Sequence, residues 1–466
     1  MTRPVKWANV ANETPAQKKE CGRPKSPNFC AIFPGDLPYR PAEFDGENRA
    51  LEKRAPPLRR PSQSSPARFF HKTVCLAGCD NAMDFPHTEF NCGTFIMKKH
   101  IPYIDALKGI SGIWVTVFHY VLAFMPFGYV GWECGVADSD KSEFYFSAFP
   151  FSIFTNSSYP LYTFFAIVSF TLASVYFKSG NGEFIKKQAV KRYFRLMPPV
   201  LACTLICYAV AACGLMFNAQ LGELAPSNWS MAFYKNGVSF LPALISGIYT
   251  AFAAGDGYYC SILWCMNIIF TGSYLSYAIL LLFGRQGGRW VFYAAIFALC
   301  TAINGHYAPF VAGIAAADMA ENCPRLREAR RLGPALIFAG LAAGNAFPIV
   351  WLPRAIDASV LYSAANFAML LGFALSVAAQ KAVSRKWLCS AGKWSFALIL
   401  VHFPVMMSFS AWAFSALIKS GWGFAEATAL SWAASIPVLA AAVWLFYRFV
   451  ELPAEKFAQC AWEKLR

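Results

Sequence analysis

Apolar blocks of about twenty residues recur along this chain, the length a helix needs to cross a hydrocarbon layer roughly 30 Å thick. Runs such as "YAILLLF" and "ALSWAASIPVLAAAVWLF" do not alternate, so strand-length β-barrel patterning is excluded. With 57% of residues hydrophobic and 14% charged, the expected fold class is all-α: a polytopic membrane protein of about ten transmembrane helices. The spans are expected at 104–126, 158–177, 198–217, 260–283, 289–304, 306–318, 333–353, 358–380, 395–417 and 427–449. The stretch "SFLPALISGIYTAFA" (239–253) competes for a place and is read as interfacial.

Residues 1–96 differ in kind. Stretches such as "KRAPPLRRPSQSSPAR" have no sustained apolar period and cannot bury enough surface to fold alone. No signal-peptide core lies in them, and Met97 stands directly before Lys98, Lys99 and the first span. The expectation is an N-terminal extension, disordered or translated from upstream sequence in error, ahead of a membrane domain over 97–466.

Basic residues set the orientation. With the N-terminus in the cytoplasm, strict alternation over ten spans puts 22 of the Lys and Arg of residues 97–466 on the inner side and leaves Lys141, Lys235, Arg354 and Lys419 outside, with Lys108 inside the first span left out. That asymmetry is the positive-inside pattern, with both termini cytoplasmic in the inner (plasma) membrane. The formal net charge of +15 is therefore mostly topological, and no nucleic-acid partner is implied. The fifteen cysteines include no Cys-x-x-Cys or paired Cys/His ligand set, so no metal site is expected. Those inside spans read as small apolar residues.

The first span carries ionisable groups that hydrocarbon penalises. Lys108 and His119 are eleven residues apart, which returns them to within about 20° of one helix face and about 16 Å apart along the axis. Lys108 can snorkel to the inner boundary; His119 lies past mid-membrane. An imidazole there either hydrogen-bonds a neighbouring helix or transfers protons, and its intrinsic pKa suits the latter.

The stretch "YIDALKGISGIWVTVFHY" resembles the opening signature of the acyltransferase-3 family of integral membrane acyltransferases. That signature runs Asp, Gly or Ala, Leu, Arg or Lys, Gly and, after ten residues beyond the basic one, His. The likeness continues in order with "FFAIVSF" (164–170), the basic "FIKKQAVKRYFRLMPP" with its Arg-x-x-Arg pair on Arg192 and Arg195, "GKWSFALILVHFPV" (392–405) and "FVELPAEK". One position departs: Trp264 falls on the family's middle-span Trp, but Ile269 stands where a Glu is usual.

The resemblance implies an O-acyltransferase that moves an acyl group, acetyl above all, from acyl-CoA to a hydroxyl of a carbohydrate or other cell-envelope acceptor. It makes His119 the catalytic base or acyl relay. Lys108, Arg192 and Arg195 would hold the donor's phosphates, with Asp105, Trp264 and His402 as acceptor or support residues. Read from the residues alone, Arg192 and Arg195 also fit a topology anchor on anionic lipid, in an interfacial helix expected to end before Pro198. His402 equally fits a packing or hydrogen-bonding role. A transporter for an anionic metabolite and a family member without catalysis remain as alternatives.

Overall fold

The computed structural model describes residues 101–130, 151–346 and 357–465. The expected boundary at Met97, Lys98, Lys99, the five cysteines of the N-terminal extension, Lys141 and Arg354 lie outside them. Every regular element among the described residues is helical. Eight helical stretches are long and apolar enough to cross a membrane: Pro102–Phe124, Ser158–Ser179, Gly182–Ala212, Ser261–Phe283, Arg289–Asn322, Ala358–Leu375, Ser395–Lys419 and Phe424–Leu465. Two shorter apolar ones, Phe240–Ala253 and Leu332–Asn345, accompany them.

The helices that position the site are labelled in chain order. They are α1 (Pro102–Phe124), α2 (Ser158–Ser179), α3 (Gly182–Ala212), α4 (Cys265–Phe283), α5 (Arg289–Asn304), α6 (Ala308–Asn322), α7 (Leu332–Ala346), α8 (Ala358–Leu375), α9 (Lys386–Lys393), α10 (Ser395–Val405), α11 (Phe424–Phe446) and α12 (Leu452–Leu465).

The apolar string Arg289–Asn322 is not one long helix. Asn304 caps a single 3₁₀ turn, Gly305–Tyr307, where the chain reverses. As a result Arg289, at the start of α5, reaches Asp318 in α6 with Nε to Oδ2 at 2.5 Å and Nη2 to Oδ1 at 2.9 Å. A straight helix would hold those residues about 44 Å apart. Asp318 is fully buried, and Tyr293 and Asn322 also donate to its carboxylate, at 3.2 and 2.6 Å. A buried charge of this kind is tolerated because every oxygen has partners.

The helix of the third span differs from expectation. The basic segment does not end before Pro198; α3 runs unbroken from Gly182 to Ala212 with Pro198 and Pro199 inside it. Each proline removes the backbone donor to the carbonyl four residues earlier, which leaves those of Phe194 and Arg195 without their helical partners. The helix persists because its basic half is held by α12, through Lys191 donating to Gln459 Oε1 at 2.8 Å and the Phe194 and Phe457 rings 5.8 Å apart.

Two buried apolar clusters share α1 between them. One gathers its N-terminal half with α2, α6 and α8; the other gathers its C-terminal half with α3, α10 and α11. Glycine lets α1 approach α9 closely: a Cβ on Gly109 would stand 2.7 Å from Gly392 N and 2.8 Å from the Leu388 carbonyl oxygen. In hydrocarbon, where water drives no association between helices, this close packing and interhelical polar contacts hold the bundle. Tyr120 meets Ser410 Oγ at 3.0 Å, and Ser435 donates to the same oxygen at 2.6 Å, joining three helical segments.

Candidate functional site

The contact between Gly109 and Gly392 sets a register. Gly112 next faces Ser395, and both pairs differ by the same number of residues, 283, that separates His119 from His402. Helices α1 and α10 therefore run parallel and in step. Ten residues beyond the glycine contact, that register brings the two histidines together. His402 Nε2 lies 3.3 Å from His119 Nδ1, with ring centroids 5.0 Å apart.

The surrounding carbonyls determine where the protons are. His402 Nδ1 is 3.0 Å from the Leu398 carbonyl oxygen, which can only accept, so Nδ1 carries hydrogen and Nε2 of the neutral ring has the lone pair. His119 Nδ1 faces the Val115 carbonyl oxygen at 2.8 Å and must also carry hydrogen. Its N–H is thus shared between Val115 and His402 Nε2, and His119 Nε2 is left as an unprotonated nitrogen. This tautomer follows from the hydrogen-bond partners. His119 keeps 9% of its surface while His402 keeps none, so His119 is the more accessible of the two.

Aromatic rings border the pair. The Trp229 ring lies 5.7 Å from His119, tilted by 30°, and Trp229 and Phe233 meet Phe403 at 6.0 and 4.9 Å. Sequence reasoning missed Trp229, because the link between spans that carries it shows no periodic signal.

The remaining residues singled out by sequence fall into separate groups. Lys108 is paired with Asp105 one turn earlier on α1, Nζ to Oδ1 at 3.5 Å, at the start of that helix. Trp264 closes the 3₁₀ turn Ser261–Trp264 before α4, its ring edge-on to His306 at 5.4 Å. Ile269 packs in the partly buried apolar shell, so no carboxylate stands at that point of α4. Asn267 faces away from it, donating to the Phe252 and Ala253 carbonyls at 2.7 and 2.9 Å.

Arg192 and Arg195 sit together in the basic half of α3, beside Tyr274 and Tyr277 of α4. Neither guanidinium has a hydrogen bond or ion pair to a described residue, and Arg192 Nε is buried without a partner. Cys203, farther along the same helix, donates to the Leu400 carbonyl at 3.2 Å, two residues before His402. At 1.5 Å per residue, Arg195 and Arg192 lie about 12 and 16 Å back along α3 from that level.

The structure also gathers Cys203, Cys207 and Cys260, whose sulfur atoms all lie within 4.8 Å of one another. The one-turn spacing of Cys203 and Cys207 was the available sequence signal; Cys260 is distant in sequence and joins them only in the fold.

A multi-pass helical membrane protein with a buried, hydrogen-bonded histidine pair is what the fold and this geometry define. No known family's sequence pattern, no curated protein and no solved structure matches the chain.

Proposed function

We propose that the chain is an O-acyltransferase of the inner (plasma) membrane, crossing it ten times with both termini cytoplasmic. It transfers an acyl group, acetyl above all, from acyl-CoA to a hydroxyl of a carbohydrate or other cell-envelope acceptor. The observation that carries this reading is the histidine pair, with a lone-pair nitrogen on the more accessible ring and that ring held by a second one. A general base must offer such a nitrogen at the proton it abstracts.

In this reading the acceptor hydroxyl gives its proton to His119 Nε2 as its oxygen attacks the thioester carbonyl carbon. The carbon–sulfur bond then breaks, and the leaving CoA thiolate takes the proton back from the imidazolium. His402 accepts from His119 Nδ1–H throughout and keeps the ring from turning. Trp229 offers an aromatic face for the apolar side of a sugar ring. Arg192 and Arg195, without counter-charges among the described residues, suit the phosphates of the donor, for which forked guanidinium geometry is well matched. Lys108 is tied to Asp105 and contributes less.

Ten crossings are favoured by the reversal at Gly305–Tyr307, which divides one apolar string into two, and by the packing of α7 along α8, where Gly340 meets Ala365 and Met369. Incubating the purified protein with acetyl-labelled acetyl-CoA and a crude envelope glycan fraction tests the function. Label should pass to the glycan with wild type and not with His119→Ala. Uptake of an anionic metabolite into vesicles without label transfer would instead identify a transporter.

A further inference from the structure

Cys203 and Cys207 occupy one face of α3, one turn apart, and Cys260 enters from the segment that leads into the 3₁₀ turn Ser261–Trp264. All three are essentially fully buried, at 1%, 0% and 0% exposure, and none is in a disulfide. A tetrahedral cation with metal–sulfur bonds of about 2.3 Å holds its sulfurs about 3.8 Å apart. With the sulfurs already within 4.8 Å, closing on an ion requires movements of at most about 1 Å.

A second feature points at the same spot. Tyr234 is the one non-glycine residue with positive φ among the described residues, at 60°, a conformation that costs energy and persists only where the surroundings enforce it. Its hydroxyl donates to the Tyr259 carbonyl at 2.5 Å, beside the three cysteines.

We propose that Cys203, Cys207 and Cys260, with the Tyr234 oxygen at the fourth position, bind one thiophilic divalent cation of the zinc class, which pins the segment before α4 onto α3. Soft sulfur donors select such ions over magnesium or calcium. Binding is coupled to deprotonation: Cys203, Cys207 and Cys260 each release a proton to solvent and coordinate as thiolates. This inference does not rest on the acyl-transfer reading.

The test uses the full chain, purified reduced in detergent, stripped of metal and titrated with cadmium ions. One cadmium per chain should bind, with thiolate-to-metal charge-transfer absorption, release of three protons and a rise in melting temperature. Cadmium should also slow maleimide labelling of Cys207 and Cys260 of the unmutated protein as denaturant opens these buried sites, a readout that needs no variant. Cys260→Ala and Cys207→Ala should lose the absorption and the thermal shift, whereas Cys300→Ala, buried elsewhere, should keep both. Failure of the stripped protein to bind cadmium, a retained response in Cys260→Ala, or a disulfide joining Cys260 to Cys203 or Cys207 in native membranes would overturn the proposal.

Discussion

Replacing His402 with Phe probes the histidine pair most directly, because it keeps the ring volume at a fully buried position while deleting the lone pair facing His119. The 3.3 Å contact is a neutral hydrogen bond at the long end of the range, and it shares the His119 N–H with a shorter bond to Val115. The tautomer of His119 therefore survives the change, and what is lost is one restraint on ring orientation. A neutral hydrogen bond of this kind contributes about 0.5–1.5 kcal/mol, which corresponds to about a 2- to 13-fold fall in turnover. His119→Ala removes the proposed base itself and should cost about a hundredfold or more. Because His402 acts only through His119, the double variant should be no slower than His119→Ala alone. The assay is acetyl transfer to the glycan fraction, normalised to folded protein by thermal melting in detergent. A His402→Phe loss equal to that of His119→Ala, or additive losses in the double variant, would refute the assignment of base and orienting group.

Other consequences can be checked separately. Replacing Arg192 and Arg195 with Ala should weaken acyl-CoA binding by about ten- to a hundredfold per lost charge-assisted contact, each contributing about 1.5–3 kcal/mol. Equilibrium binding measures this, and unchanged affinity would leave the pair as a lipid anchor. Asp318→Asn should destabilise the α5–α6 hairpin by about 3–5 kcal/mol by leaving Arg289 without its buried carboxylate, read as a lowered melting temperature. Gly109→Val should separate α1 from α9 and lower both stability and transfer, since its side chain would collide with the Gly392 and Leu388 backbone. A reporter fused after Lys381 should score cytoplasmic and one after Lys419 external; the same side for both would sink the ten-crossing topology.

The helical class was legible because apolar length is a direct consequence of the bilayer, and the break between α5 and α6 at Gly305–Tyr307 falls where the expected spans 289–304 and 306–318 meet. Proline misled at Pro198: the rule that it ends helices holds where water can take the freed carbonyls, whereas here α12 braces the basic half of α3. His119 was visible as an ionisable group inside an apolar run. Its partnership with His402 was not, since it depends on a parallel register created by Gly109 and Gly392, residues that are far apart in sequence and carry no pattern of their own. The cysteine cluster was hidden for the same reason, one of its three members arriving from a distant segment.

The position of Ile269 changes what the histidine pair must do. A carboxylate near a catalytic imidazole orients it and also stabilises the imidazolium that forms when it takes a proton. His402 as a neutral ring supplies the orientation but only a lone pair toward the charge. In the proposed acyl-transfer reaction, proton abstraction at His119 is therefore less assisted than beside an acid, and transfer depends more on the acceptor being held close to Nε2 and on the proton passing quickly to the leaving thiolate. Ile269→Glu should accordingly raise turnover if its carboxylate reaches the pair. If it does not, the change buries an unpaired acid in the apolar packing around α4 and lowers the melting temperature instead.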